Sequence, residues 1–530
     1  MKVDKHAAVH AIEEASLLLP PEPPPSPLPE TRQIGGRKFV TAALLLVMVL
    51  VSMEQTITST AMPSIIGDLH GLEHYSWVAS IYLLACTVTM PLYGRLADAF
   101  GRKPVIVASL LIFLAASLLA SFATTMTQLI VYRGLQGFGA GGVMPVVLTI
   151  LADIYTLEER ARIQGFFSGV WGTSALAGPA LGALLVHTLG WRSVFWINLP
   201  IGLLGLAVLV WKYHERREHH EMDLDLPGVA SLAVASTALL ALVSGMGPTG
   251  WSWATMAILS VLTLAAIAYF VRHERRADHP ILPPQLVMRR EIGASILGSC
   301  LFGAAFLSLD TYVPLYIQGG RGGDASAAAS VVTPVMLTWA MSGMIAAPAL
   351  VRWGFRKTAT VGATLIVLGF AGLFACAMTD APRWMITATL SVTGFGFGPA
   401  SMALLIVAQE SVEYRQRGIV TSSISFFRTM GGAVGIGLLG ATFNVIVSGD
   451  MERLRAAGVT PAELLDPHAH ATFPPAVLSA AQRMIAQGLT WVFAAMLAVA
   501  AALWFVTQLM PSGRRAPGAS TLEALDAKLN

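Results

Sequence analysis

The sequence predicts an all-α polytopic membrane protein with fourteen transmembrane helices, built as two six-helix halves (parallel repeats) plus two additional central helices. Three observations predict it. Of 530 residues, 55% are hydrophobic and only 12% charged, against about 25% charged in an ordinary soluble domain. Apolar runs recur from residue 39 to residue 510, each long enough to cross a hydrocarbon core of about 30 Å. The chain also echoes itself. GFGAG at 137–141 precedes a polar turn with Arg160 and Arg162, and GFGFG at 394–398 precedes one with Arg415 and Arg417, at offsets of 257 and 255 residues. The later copy falls eight apolar segments on rather than six, so an extra pair separates two related halves.

In chain order, residues 1–36 (with PPEPPPSPLPE) are polar, proline-rich and without apolar period, and are expected to be a disordered tail. The LLL at 17–19 is too short for the core of a cleavable signal. Apolar segments follow at 39–60, 76–94, 104–122, 128–151, 164–187, 192–212, 226–246, 252–271, 292–317, 327–350, 358–378, 384–407, 419–447 and 485–510. They group into an N-terminal bundle (37–213), an extra pair with its flanking loops (214–291), a C-terminal bundle (292–510) and a tail (511–530). The connection at 448–484 is long, with amphipathic ends.

Orientation follows from the basic residues. GRLADAFGRKP at 94–104 places Arg95, Asp98, Arg102 and Lys103 between two apolar runs, as expected of a cytoplasmic loop. With the tails, the side of that loop holds 26 of the 34 Lys and Arg residues. The other side holds six: Arg192, Arg321, Arg383, Arg453, Arg455 and Arg483. The positive-inside rule then puts both termini in the cytoplasm. The net charge of +3 is too small to indicate nucleic acid as a partner. Cys86, Cys300 and Cys376 lie far apart inside apolar segments, which gives neither a disulfide framework nor metal-ligand spacing.

Four ionisable residues fall within apolar segments: Glu54, Arg133, Asp310 and Arg428. Charge at membrane depth is costly and marks function or a buried pair. Burial raises a carboxyl pKa toward the range of proton exchange, which suits Glu54 to proton coupling or cation binding; the structural alternative is a hydrogen bond to a neighbouring helix. Thr58, one turn on, shares its face. Arg133 needs an acceptor or a water-filled cavity, with Gln136 and Gly137 on its face. Asp310 is a second proton or cation site, or else a lock on Arg428. Gly137/Gly141, Gly178/Gly182 and Gly431/Gly435 are small-residue pairs for close helix packing, and Pro179 can kink its helix. Gly178, Pro179 and Gly182 are also gating candidates. Asp98 and Arg102 suit a breakable latch, where the alternative is a topological role alone. The histidines read as solvated loop residues, His187 apart.

These stretches carry a resemblance. GRLADAFGRKP resembles the loop between helices 2 and 3 of the major facilitator superfamily, with Gly94, Asp98, Gly101, Arg102 and Lys103 at the motif positions. LIVYRGLQGFGAGG (129–142) is similar to its helix-4 motif, and SALAGPALGA (174–183) to its exporter motif, with Ser174 and Ala183 in place of two glycines. EQTITSTAMPSI (54–65) and WRSVFWINLPIG (191–202) resemble the fourteen-helix drug:proton antiporters, with Glu54 where many members carry Asp. The resemblance implies that Arg133 lies near Glu54 and tunes its protonation. It implies a monomeric, proton-coupled exporter of amphipathic, cationic drugs in a bacterial cytoplasmic membrane, needing no cofactor or metal. The same fold could instead export a metabolite, siderophore or anionic amphiphile, with Arg428 as the hook; a non-transporting sensor is a third reading. No nucleotide loop, metal cluster or nucleophile motif indicates an enzyme.

Overall fold

The computed structural model describes residues 36–69, 75–215, 225–245, 251–278, 280–456 and 475–512. Both expected tails lie outside these residues, apart from their inner ends, as does the middle of the long connection before the last helix.

The N-terminal half contains α1 (Arg37–Leu69), α2 (Tyr75–Phe100), α3 (Arg102–Ser121), α4 (Met126–Ile154) and α5 (Leu157–Leu189), then α6 (Ser193–Trp196) and α7 (Asn198–Lys212). The extra pair is α8 (Leu226–Ser244) and α9 (Trp253–Glu274), followed by the short α10 (Pro284–Val287). The C-terminal half contains α11 (Arg290–Leu315), α12 (Ala325–Trp353), α13 (Phe355–Met378), α14 (Arg383–Glu410), α15 (Arg417–Ala456) and α16 (Pro475–Thr507). Side-chain caps start several of them: Thr125 caps α4, Thr156 forms a capping box with Glu159, and Asp225, Ser252 and Asp324 cap α8, α9 and α12.

Among the described residues, twelve helices are long and apolar enough to cross a membrane. The expected fifth and seventh segments are also helical, as α5 and α8, and their fully described apolar stretches run over Ala177–Leu189 and Pro227–Val243. A count of fourteen crossings therefore requires α5 and α8 to cross as well.

Three expectations change. The stretch 94–104 is not a loop: α2 continues to Phe100 and α3 starts at Arg102, so Gly101 alone separates them. It turns the chain at φ +95°, a conformation that favours glycine. The connection at 448–484 is narrowed by helix from both sides, α15 reaching Ala456 and α16 starting at Pro475. His273 is not simply solvated: its Nε2 lies 2.6 Å from Asp225 Oδ1 and ties the end of α9 to the start of α8. His219, His220 and His279 lie outside the described residues.

The sequence echo is built identically in both halves. Gly137 and Gly141 of α4 pack on the backbone of α2 at Tyr82 and Cys86, while Gly139 between them packs on α3 at Ser109 and Phe113. Gly394 and Gly398 of α14 pack on α12 at Val335 and Gly343, and Gly396 packs on α13 at Gly362 and Ile366. Alternate glycines let one central helix approach two neighbours at once. The halves meet along α5 with α12 and along α2 with α15; α8 lies against both α2 and α15, and α9 rests on α8. Trp253, Val261 and Leu264 of α9 are exposed, as residues facing lipid would be.

Candidate functional site

Three constellations contain the candidate residues. The first is a sealed polar nest in the N-terminal half. Arg133 Nη1 donates to Glu54 Oε1 at 2.6 Å and to Gln136 Oε1 at 2.6 Å, and its Nε donates to the Val78 carbonyl at 3.3 Å. The guanidinium also lies 4.2 Å from the centre of the Tyr82 ring. Thr58 Oγ1 donates to Glu54 Oε1 at 3.0 Å, and Asn198 Nδ2 donates to the other carboxylate oxygen and, at 2.9 Å, to Ser117 Oγ. Glu54 and Arg133 are each 1% exposed. The nest draws on five helices: Glu54 and Thr58 from α1, Val78 and Tyr82 from α2, Ser117 from α3, Arg133 and Gln136 from α4, and Asn198 from α7. Asn198, Ser117 and Tyr82 were not singled out from sequence; the asparagine opening α7 inside an apolar run was the available signal.

The second constellation joins the two halves at the basic end. Asp98 Oδ1 accepts from Gly418 N at 3.0 Å and Oδ2 from Ile419 N at 2.7 Å, so α2 supplies the N-terminal cap of α15. Arg102 Nε donates to Asp153 Oδ2 at 3.0 Å, Nη2 donates to the Tyr414 carbonyl at 2.6 Å, and Nη2 lies 3.2 Å from Asp98. Arg417 Nη1 reaches back to the Ala152 carbonyl at 2.9 Å, and Arg160 donates to Gln409 Oε1 at 3.1 Å and to Glu410. Glu215 accepts the free N–H groups of Arg102 and Lys103 at 2.9 and 2.8 Å, capping α3. Burial pushes the nearby Tyr213 hydroxyl well above its ordinary range, and Glu215 adds to that rise. Gly94 has no room for a Cβ, which would lie 2.7 Å from the Gly418 carbonyl. The contacts at this end thus extend beyond Asp98 and Arg102 to Asp153, Arg160, Glu215, Gln409 and Glu410. Lys103 points out of it, donating to the Val210 carbonyl at 2.7 Å. Gly178 and Gly182 pack α5 onto Thr56 and Ile57 of α1, while Pro179 faces outward.

The third is a cavity between the halves, near the middle of the helices. Its volume is about 180 Å³, too large for a single water. Met48, Met90 and Met144 line it from the N-terminal half; Phe302, Phe306, Trp339 and Arg428 line it from the C-terminal half. The aromatic wall is continuous, with Phe306 and Trp339 centroids 4.8 Å apart and Phe302 and Phe306 6.3 Å apart. Cys86 also lines the cavity, a place that its apolar segment did not reveal. Asp310 is exposed, one turn beyond Phe306 on α11 and outside the lining. The expected lock does not form: among the described residues neither Asp310 nor Arg428 has an ion-pair or hydrogen-bond partner. Among the described residues no cluster of His, Cys, Asp and Glu has a metal-binding arrangement.

Two related helical bundles around a central cavity, closed at one end by contacts between them, define a membrane transporter of the two-repeat type. The chain belongs to the Major Facilitator Superfamily, whose family model matches residues 44–228 and 226–436. It is 33% identical over 410 residues to the multidrug transporter protein MdtP of Bacillus subtilis (strain 168), covering 77% of this chain and 75% of that one. It is 28% identical over 424 residues to citrate exporter 1 of Yarrowia lipolytica (strain CLIB 122 / E 150), covering 78% of this chain and 63% of that one. The crystal structure of the human organic anion transporter MFSD10 superimposes with a TM-score of 0.58 over 87% of this chain and 99% of that one; at 15% identity it shows the fold alone.

Proposed function

We propose that the protein exports amphipathic small molecules from the cytoplasm in exchange for protons, by alternating access around the central cavity. It does so as a monomer in a bacterial cytoplasmic membrane, with fourteen crossings and both termini on the cytoplasmic side. The supporting observation is the cavity itself: residues of both halves line it, and the basic end is closed by breakable polar contacts. In this state cargo leaves toward the opposite end. Breaking the Asp98 cap on α15 and the Arg102 and Arg417 contacts would open the cytoplasmic side. Methionine and aromatic walls adapt to varied apolar cargo, in keeping with the name of the Bacillus relative.

Glu54 carries the proton in this reading. As a carboxylate it is held by Arg133, Asn198 and Thr58; a proton taken there removes the charge that Arg133 faces and loosens α1 from α4. A preference for cationic cargo would rest on Asp310, because Glu54 is enclosed with Arg133.

The test is the purified protein in liposomes with an internal pH dye, run with a cationic amphiphile (ethidium) and an anionic one (2-naphthalenesulfonate) as trial cargoes. Cargo-dependent proton flux in the wild type, abolished in Glu54→Gln, supports the reading. Cargo movement that is indifferent to a pH gradient and to Glu54→Gln would refute proton coupling. Asp310→Asn reports whether the second acid shares in coupling.

A further inference from the structure

We infer that the cavity selects amphipathic monoanions, an apolar or aromatic body bearing one carboxylate or sulfonate, with Arg428 as the anion-binding residue. This cargo class rests on the export reading above. Arg428 is the one charged residue among those lining the cavity, and no acid lies with it. Its guanidinium has no hydrogen-bond or ion-pair partner among the described residues. Arginine carries five N–H donors and cannot shed its charge, so an unpaired guanidinium facing a cavity offers a bidentate seat to an oxyanion.

The neighbouring polar groups point the same way. Trp339, in the cavity wall, is 8% exposed, and its indole N–H is buried without an acceptor. The hydroxyls of Ser401 and Thr429 already donate within their own helices, to the carbonyls of Phe397 at 2.7 Å and Ser425 at 3.0 Å. The nitrogen donors of the walls left without an acceptor are therefore those of Arg428 and Trp339, while the Ser401 and Thr429 oxygens can still only accept.

The remaining walls limit the anion's shape and charge. Phe302, Phe306, Met48, Met90 and Met144 offer contact area and no second cation. A multiply charged hydrophilic anion would leave charges desolvated against them. A cation would meet Arg428 with no carboxylate in the lining to offset it. Gly303 fixes the depth of the seat, since its missing side chain lets α11 touch the backbone of Arg428.

The experiment measures binding of three radiolabelled probes of equal ring size to the full-length purified protein: 2-naphthalenesulfonate, 2-naphthyltrimethylammonium and 2-naphthalenemethanol. The wild type should bind the sulfonate at least tenfold more tightly than the ammonium compound. Arg428→Met should weaken the sulfonate at least tenfold while leaving naphthalenemethanol within twofold, which also shows that the variant is folded. Arg428→Lys should recover part of the loss, and Trp339→Phe should weaken the sulfonate about threefold. The inference is overturned if the wild type prefers the ammonium probe, if it binds none of the three, or if Arg428→Met binds the sulfonate unchanged. The same probes loaded into proteoliposomes separate the two readings. Arg428-dependent binding without transport would refute export and leave the anion site standing. Transport of the alcohol or ammonium probe but not the sulfonate would keep export and refute the anion site.

Discussion

The two halves treat their intramembrane charges in opposite ways. In the N-terminal half, Glu54 and Arg133 are paired, hydrogen-bonded on every side and closed off from the cavity. In the C-terminal half, Arg428 lines the cavity and Asp310 is exposed outside that lining, neither with a partner among the described residues. A paired buried charge gives up most of its reach to outside ligands, whereas an unpaired one keeps it. On the proposed function, the N-terminal pair would serve internal coupling and the C-terminal arginine recognition of cargo.

The largest expected effect tests this division directly. Arg133→Ala strands the Glu54 carboxylate and should cost about 3–5 kcal/mol of stability, as for other broken buried pairs. Arg428→Ala strands nothing and should cost about 1 kcal/mol or less. Thermal unfolding in detergent compares them, and equal losses would erase the contrast.

The next effect concerns the basic end. Asp98→Ala removes two hydrogen bonds from a charged cap that joins α2 to α15, each worth about 1.5–3 kcal/mol. A shift of 1.4 kcal/mol or more toward the alternate state is about tenfold in population. Labelling of Cys86, which lines the cavity, by a membrane-impermeant thiol reagent from the cytoplasmic face should accelerate at least tenfold; an unchanged rate would remove Asp98 from the latch.

Substitution at the equivalent glycines of the repeat should show the symmetry that the charges lack. Gly137→Ala and Gly394→Ala each drive a methyl group into the facing backbone, of α2 and α12, and should cost about 1–3 kcal/mol apiece. Unequal losses in thermal unfolding would mean that the echo is one of sequence more than of packing. The smallest effect is at the surface. Arg192 and Asp68 pair at 2.8 Å but are 44% and 54% exposed, so Arg192→Ala should change stability by at most about 1 kcal/mol. A loss comparable to that of Arg133→Ala would show that burial does not set the value of these pairs.

Much of this was legible in the sequence for a physical reason. Hydrocarbon demands long apolar runs and internally satisfied backbones, so composition alone determines a helical membrane protein. A charge within such a run stands out because it is costly there, which is how Glu54, Arg133, Asp310 and Arg428 come to notice. Small-residue spacing likewise exposes the repeat, since only glycine permits the double approach of α4 to α2 and α3. The helical latch motif was visible too, although its extent was not: Asp153 and Glu215 belong to it through contacts across more than fifty residues of chain.

The sequence by itself determined the class of solvent, the helical passes, their duplication and the presence of four costly charges. The resemblance implied that Arg133 lies near Glu54; the tertiary structure decided the distance of that pair and the separation of the other two charges. Glu54 and Arg133 are 79 residues apart and pair at 2.6 Å, whereas Asp310 and Arg428, equally suited by type, do not. Asn198, an unremarkable polar residue in sequence, becomes a ligand of the buried acid once α7 packs beside α1. Charge type and depth are properties of single residues and are written along the chain. Partnership depends on the rotation and distance of whole helices, which packing alone sets.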